Sequence, residues 1–198
     1  MRKGKNGGQW EARWQTDDIG WEKGEPAPPL VDFLHQQQML GRVLVPGCGS
    51  GNDVRAIAAQ NPDQVVGLDI APTALKMAWS RSIGLKNVDF IAADLFAPPH
   101  SLCGTFDWVF EHTCFCAINP EMRPDYFESI GLLLKPKGYF LGIFYLNPEK
   151  ESGPPFGVQP AAIDHYVDES FELIKKWVPE VGFPGRLGRE EMRWYQRK

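Results

Sequence analysis

Three glycines at alternate positions, Gly47, Gly49 and Gly51, follow the apolar run Arg42 to Pro46, and an acid, Asp69, ends the next apolar run, Val65-Val-Gly-Leu-Asp69. Glycine permits tight backbone angles and leaves no Cβ in the way of a ligand. A carboxylate at the end of the second strand is placed to accept hydrogen bonds from ribose hydroxyls. Strand, glycine turn, helix, strand and acid make the first half of a nucleotide-binding α/β unit. The competing role for Asp69 is a helix cap or a solvated loop acid before Pro72.

The spacing selects among cofactors. A dinucleotide site prefers G-x-G-x-x-G, which sets the pyrophosphate on a helix N-terminus. Here the pattern is G-x-G-x-G, followed by Asn52 and Asp53. An acid beside a pyrophosphate repels it, whereas an adenosyl cofactor without phosphate tolerates it. S-adenosylmethionine is such a cofactor. Asp94, in Ala92-Ala-Asp-Leu-Phe96, ends the third apolar run, where a carboxylate can accept from an adenine amino group while Leu95 packs the ring. The fourth run ends in Glu111-His-Thr-Cys-Phe-Cys116. Loops after strands one and four border the ligand crevice of a doubly wound sheet, so His112 and Thr113 are candidates for contact with cofactor or substrate. His112 has the chemistry of a general base and equally that of a backbone hydrogen-bonding partner. Cys114 and Cys116 read as buried core thiols, since methyl transfer needs no enzyme nucleophile. Trp10 and Trp14 lie four apart, on one face of a short helix, with Trp21 beyond it. A sulfonium is attracted to an aromatic face. These rings are either a lid over the cofactor or a staple of the N-terminus to the sheet.

The elements that must hold these residues alternate along the chain. Residues 9 to 15 and Leu30 to Leu40 read as helices, then Arg42 to Pro46 as strand one, Asn52 to Gln60 as helix, and Gln64 to Ile70 as strand two. Pro72 to Ile83 reads as a helix with proline in its first turn. Val88 to Ala93 and Phe106 to Glu111 are strands three and four, Met122 to Lys135 a helix, and Gly138 to Leu146 strand five. Near-continuous apolar runs suit buried parallel strands. Phe171 to Val178 and Glu190 to Gln196 mix charged and apolar residues across a Gly- and Pro-rich gap, which predicts an antiparallel pair closing the sheet. The expectation is one α/β domain over residues 1–198. It has a flexible tail at 1–8, a cofactor-covering segment at 9–40 and a doubly wound seven-stranded sheet, mostly parallel with a C-terminal antiparallel hairpin.

Composition narrows the partners. The 198 residues carry a net charge of -4, which argues against nucleic acid and anionic membrane. No apolar run approaches the ~20 residues of a membrane span. The four cysteines follow no disulfide or zinc spacing, so no metal site is expected and a cytoplasmic setting is. A monomer is expected.

Several of these segments together carry a resemblance. They are Trp10-x-x-x-Trp14, Trp21-x-x-Gly24 with Pro29-Leu30, Leu44-Val-Pro-Gly-Cys-Gly-Ser-Gly-Asn-Asp53, and Val66-Gly-Leu-Asp69. Phe115-Cys-Ala-Ile-Asn-Pro120 with Arg123 and Tyr126, and Gly153-Pro-Pro-Phe156, complete the set. The chain resembles the thiopurine S-methyltransferase family, within the class I methyltransferases, and in particular its thiol and halide methyltransferase branch. The resemblance implies that Trp10, Trp14 and Trp21 cover S-adenosylmethionine, that Gly47, Gly49 and Asp69 hold its methionine and ribose parts, and that Asp94 and Leu95 flank the adenine. It places His112 near the cofactor, Arg123 near the substrate, and the loop from Gly153 to Phe156 at the acceptor pocket. Where the thiopurine branch reads Asp-Arg-Gly after strand four, this chain reads Glu111-His112-Thr113. That departure favours a small thiol or halide acceptor over a thiopurine.

The implied reaction is transfer of a sulfonium methyl to a soft nucleophile, by positioning and exclusion of water, with His112 or a water available to take a thiol proton. The alternatives are a thiopurine or aryl-thiol acceptor, a larger substrate, a non-catalytic adenosyl-binding module, and a dehydrogenase.

Overall fold

Alternation within each apolar run decides how the sheet is covered. In β1 (Arg42–Pro46), Val43 and Val45 face one way and Leu44 the other, and all three are buried. The same holds for β2 (Gln64–Asp69), with Val65 on one face and Val66 and Leu68 on the other. Strands buried on both faces need helices on both faces. The computed structural model describes residues 7–146, 152–167 and 170–198. Against the first face pack Leu30 and Phe33 of α2 (Pro28–Gln36), Val54 and Ile57 of α3 (Asn52–Ala58), and Leu75 and Ala78 of α4 (Pro72–Arg81). Against the second pack Tyr126, Phe127 and Ile130 of α5 (Arg123–Leu133) and Ile163 of α6 (Pro160–Tyr166).

The remaining strands are β3 (Val88–Ala92), β4 (Phe106–His112), β5 (Leu134–Tyr145), β6 (Phe171–Trp177) and β7 (Glu190–Arg197). The sheet order is β3-β2-β1-β4-β5-β7-β6. β1 to β5 run parallel, and β7 inserts antiparallel between β5 and the edge strand β6. The order reverses between β1 and β4, which opens a crevice at the carboxyl ends of those strands. The sheet is seven-stranded and mostly parallel, with an antiparallel C-terminal pair, as the sequence predicts.

The differences are local. The helix expected to reach Leu40 ends at Gln36, because Gln37 turns extended (φ -139°, ψ 126°) and sends Met39 into the core. Strand five, expected to begin at Gly138, begins at Leu134, so Lys135 to Gly138 lie inside β5 as a bulge. Phe106 pairs with Leu134 and Trp108 with Tyr139, and the Lys135 ammonium binds the Asp107 carboxylate at 2.8 Å. α6 has no counterpart in the sequence reading. The expected tail falls partly on residues 1–6, outside the described residues, and α1 (Gly7–Gln15) begins at its end. Among the described residues no helix is long and apolar enough to cross a membrane.

Candidate active site

One cavity of about 530 Å³ runs along the carboxyl edge of the sheet. Its lining follows the strand order. Asp94, Leu95 and Phe96 come from after β3, Asp69 and Ile70 from β2, Gly47 and Gly49 from after β1, and His112 and Thr113 from the end of β4. Tyr145 ends β5, and Phe183 and Arg186 precede the antiparallel β7, whose start therefore lies at the same edge.

The glycine turn and Asp69 build each other. Asp69 Oδ2 accepts from the Gly49 N–H at 2.8 Å and Oδ1 from the Ala71 N–H at 2.9 Å. Burial pushes the Asp69 carboxyl up, and the backbone donors pull against that rise. Gly47 and Gly49 sit at φ 61° and 52°, in the left-handed region. A Cβ on Gly49 would stand 3.3 Å from the Trp14 ring, and that missing side chain leaves the cradle open. Asp94 is held in an Asx turn, accepting from the Phe96 N–H at 2.9 Å.

α1 lies over this cradle. Glu11 reaches α4, accepting from the Thr73 N–H at 3.0 Å and from Thr73 Oγ1 at 2.6 Å. It does the work of a cap that Ala71, at the N-cap position, lacks a side chain to perform. Trp14 is buried, Trp21 meets both Trp10 and Trp14 edge to face at 5.4 and 6.1 Å, and the Arg13 guanidinium lies 4.3 Å over the Trp21 ring. All three indoles line the cavity. Glu22 ties the following loop to α3 by accepting from Asn52 Nδ2 at 2.6 Å.

The β5–β7 end is different. Ile118, Met122, Pro154, Pro155 and Phe183 make it apolar. Among the described residues its cation is Arg186, whose Nη1 lies 3.1 Å from Glu190 Oε1 and whose guanidinium stands 5.0 Å over the Tyr145 ring. Nη2 and Nε of Arg186 make no hydrogen bond among the described residues. His112 bridges the two ends, with Nδ1 3.1 Å from Asp53 Oδ2 and Nε2 3.3 Å from Arg186 Nη1.

Arg123 is brought elsewhere. It is 3% exposed and absent from the cavity lining. Its guanidinium donates to the carbonyls of Phe156 and Gly157 at 3.0 and 3.1 Å and lies 4.9 Å over Phe115, so it braces the loop that Pro154 and Pro155 present to the cavity. Burial pushes the Cys116 thiol up to about 12, and Cys48 and Cys114 well above the ordinary thiol range, so these are protonated wall groups. Glu111 faces α5 instead: Oε2 accepts from the Phe115 N–H and from the Tyr126 hydroxyl, both at 2.9 Å. Sequence reasoning missed Arg186, Tyr145 and Phe183. The only signal was one arginine in the Gly-Pro gap from Pro179 to Gly188, and nothing local says that this gap returns to the crevice.

The sequence profile of the family described as thiopurine S-methyltransferase (TPMT) matches residues 5–180. Thiocyanate methyltransferase 1 of Brassica oleracea is 36% identical over 195 residues, covering 94% of this chain and 84% of that protein. "Probable thiol methyltransferase 2" of Arabidopsis thaliana is 33% identical, covering 98% and 87%. Among solved structures, the 1,6-didemethyltoxoflavin-N1-methyltransferase of Burkholderia thailandensis, bound to S-adenosylhomocysteine, superposes with a TM-score of 0.75. It is 16% identical, over 97% of this chain and 87% of that one, a likeness of fold.

Proposed function

Because the chain belongs to the thiopurine S-methyltransferase family and is an S-adenosylmethionine-dependent methyltransferase of small soft nucleophiles, we propose that its acceptor is a small anion anchored by Arg186. Thiocyanate, bisulfide, iodide and small thiolates belong to this class. One observation carries the reading. The β5–β7 end of the cavity is apolar and holds a guanidinium with two N–H-bearing nitrogens uncommitted among the described residues. An anion leaving water needs a fixed counter-charge, and a guanidinium is the least hydrated one available.

The rest of the cavity fits the methyl donor. Its volume is that of a small-molecule site. Asp69 would take the ribose hydroxyls, Asp94 and Leu95 the adenine, and Trp10, Trp14 and Trp21 would face the sulfonium side. Bound there, S-adenosylmethionine supplies an electrophilic methyl group. The chain's own part is to hold the anion on Arg186 and to exclude water with Pro154, Pro155 and Phe183, which makes a halide or thiolate a stronger nucleophile than in solution. The unpaired cysteines support a reducing, cytoplasmic setting.

Arg186→Met keeps most of the length and deletes the charge. Turnover is measured over iodide, thiocyanate, bisulfide, an aryl thiol and a thiopurine. We expect kcat/KM for the small anions to fall at least about tenfold, with S-adenosylhomocysteine binding changed less than about twofold. Full activity on small anions in the variant, or a wild-type preference for the thiopurine, overturns the proposal.

A further inference from the structure

His112 closes β4 in the middle of the crevice, and three neighbours define what it can do. Nδ1 faces Asp53 Oδ2 at 3.1 Å, Nε2 faces Arg186 Nη1 at 3.3 Å, and the ring lies nearly parallel to Phe183 at 6.1 Å. A guanidinium only donates. Nε2 must therefore be the accepting nitrogen, and the neutral ring carries its proton on Nδ1, donated to Asp53. The Asp53 carboxylate is itself held, because Oδ1 accepts from the Ala27 N–H at 2.8 Å. The lone pair a base would use is thus spent on Arg186. Among the described residues, the nearest other side chains at this end are protonated or already engaged. The Cys114 and Cys116 thiols are protonated. The Asn119 side-chain oxygen accepts from the Glu121 N–H at 3.1 Å, and Glu190 Oε1 is paired with Arg186.

We propose that His112 is a positioning residue and not the general base: clamped by Asp53 as its Nδ1–H tautomer, it aims Arg186 at the acceptor, and the site takes acceptors that arrive already ionised. The inference rests on Arg186 being the acceptor's anchor. The step then needs no proton carrier. The acceptor's lone pair forms the bond to the methyl carbon, the carbon–sulfur bond of the sulfonium breaks, and its electron pair stays on sulfur. One anion and one cation become two neutral sulfur or halide species in their side groups, and no proton moves. Selection among thiols follows acidity: an aryl thiol or bisulfide, largely ionised near neutral pH, is favoured over an alkyl thiol of the same size.

The test compares His112→Leu and His112→Gln on iodide, which has no proton to lose, and on an alkyl thiol, which has. His112→Leu should raise KM about tenfold or more for both acceptors, with kcat at saturation within about threefold and S-adenosylhomocysteine binding unchanged. His112→Gln, which returns an accepting oxygen near the Nε2 position, should recover much of that KM and also serves if the leucine variant misfolds. A loss confined to the alkyl thiol, appearing in kcat with iodide untouched, makes His112 a base and overturns the proposal. Nitrogen-15 NMR of the wild-type imidazole at pH 8 reads the tautomer without turnover. A protonated Nδ1 with a bare Nε2 is expected, and an Nε2–H overturns the clamp. If no small anion is methylated at all, the anion-acceptor reading fails, while the NMR still decides the tautomer.

Discussion

At the scale of single residues, Asp69 and Arg123 show two different fates for a charged side chain placed by its sequence neighbours. Asp69 ends a buried strand, so its carboxylate meets the glycine turn in front of it and the start of α4 behind it. It shapes the cradle and also faces the cavity. Asp69→Ala should therefore weaken S-adenosylmethionine binding by about 1.5–3 kcal/mol, the worth of a hydrogen bond to a charged group. Asp69→Asn keeps an accepting oxygen for the turn and should lose affinity with a smaller drop in melting temperature. Calorimetry showing wild-type affinity in a folded alanine variant would remove Asp69 from the site. Arg123 begins α5 and looks equally able to reach a ligand, yet its Nη1 and Nη2 donate to two backbone carbonyls away from the cavity. Arg186, unremarkable in its own segment, lines the cavity instead. The difference comes from which carbonyls and carboxylates the folded chain brings within reach, and that is not encoded in either residue's immediate neighbours.

At the scale of elements, α1 is the part whose behaviour bears most on function. It is nine residues long, too short to be stable alone, so its helix depends on docking. The docking rests on Glu11 at Thr73 and on Trp14 over Gly49, and the second of these contacts lines the cavity. A ligand bound beneath the indoles would add contacts that only the docked helix makes, and would shift the equilibrium toward closure. Limited proteolysis should cut before Trp21 in the free protein and be suppressed by S-adenosylhomocysteine, and Glu11→Ala should cut faster than wild type in the absence of ligand. Equal rates with and without ligand would leave α1 as a fixed staple. Arg13 sharpens the point: its guanidinium over the Trp21 ring and its 2.9 Å contact with Asp18 hold the far end of the same segment.

At the scale of the whole molecule, one buried acid ties stability to pH. Burial pushes the Glu111 carboxyl up to about 7, against the pull of the Phe115 N–H and the Tyr126 hydroxyl. A carboxyl with a folded pKa above its unfolded value binds its proton more tightly when folded. The folded state then holds more protons between about pH 4.5 and 7, and stability falls as pH rises through that window, by at most on the order of 3 kcal/mol. Glu111→Gln keeps an acceptor for both donors and cannot ionise. Its melting temperature should fall less than that of the wild type between pH 5 and pH 8, and parallel curves would refute this account. Much of the architecture was legible before any coordinates. Arg42 to Pro46 and Gln64 to Asp69 announce buried parallel strands by continuous apolarity, and the glycine spacing and the strand-end acid select an adenosyl ligand, because these signals are local and act through backbone angles and side-chain period. Helical spacing likewise put Trp10 and Trp14 on one side of α1, and both rings line the cavity. What only the tertiary structure decided is long-range. β7 returns antiparallel between β5 and β6, and this alone brings Arg186 to the carboxyl edge of the sheet, beside a histidine 74 positions earlier in the chain. A side chain's partners across such a distance are set by the order in which strands pair, and strand order is a property of the assembled sheet rather than of any one segment.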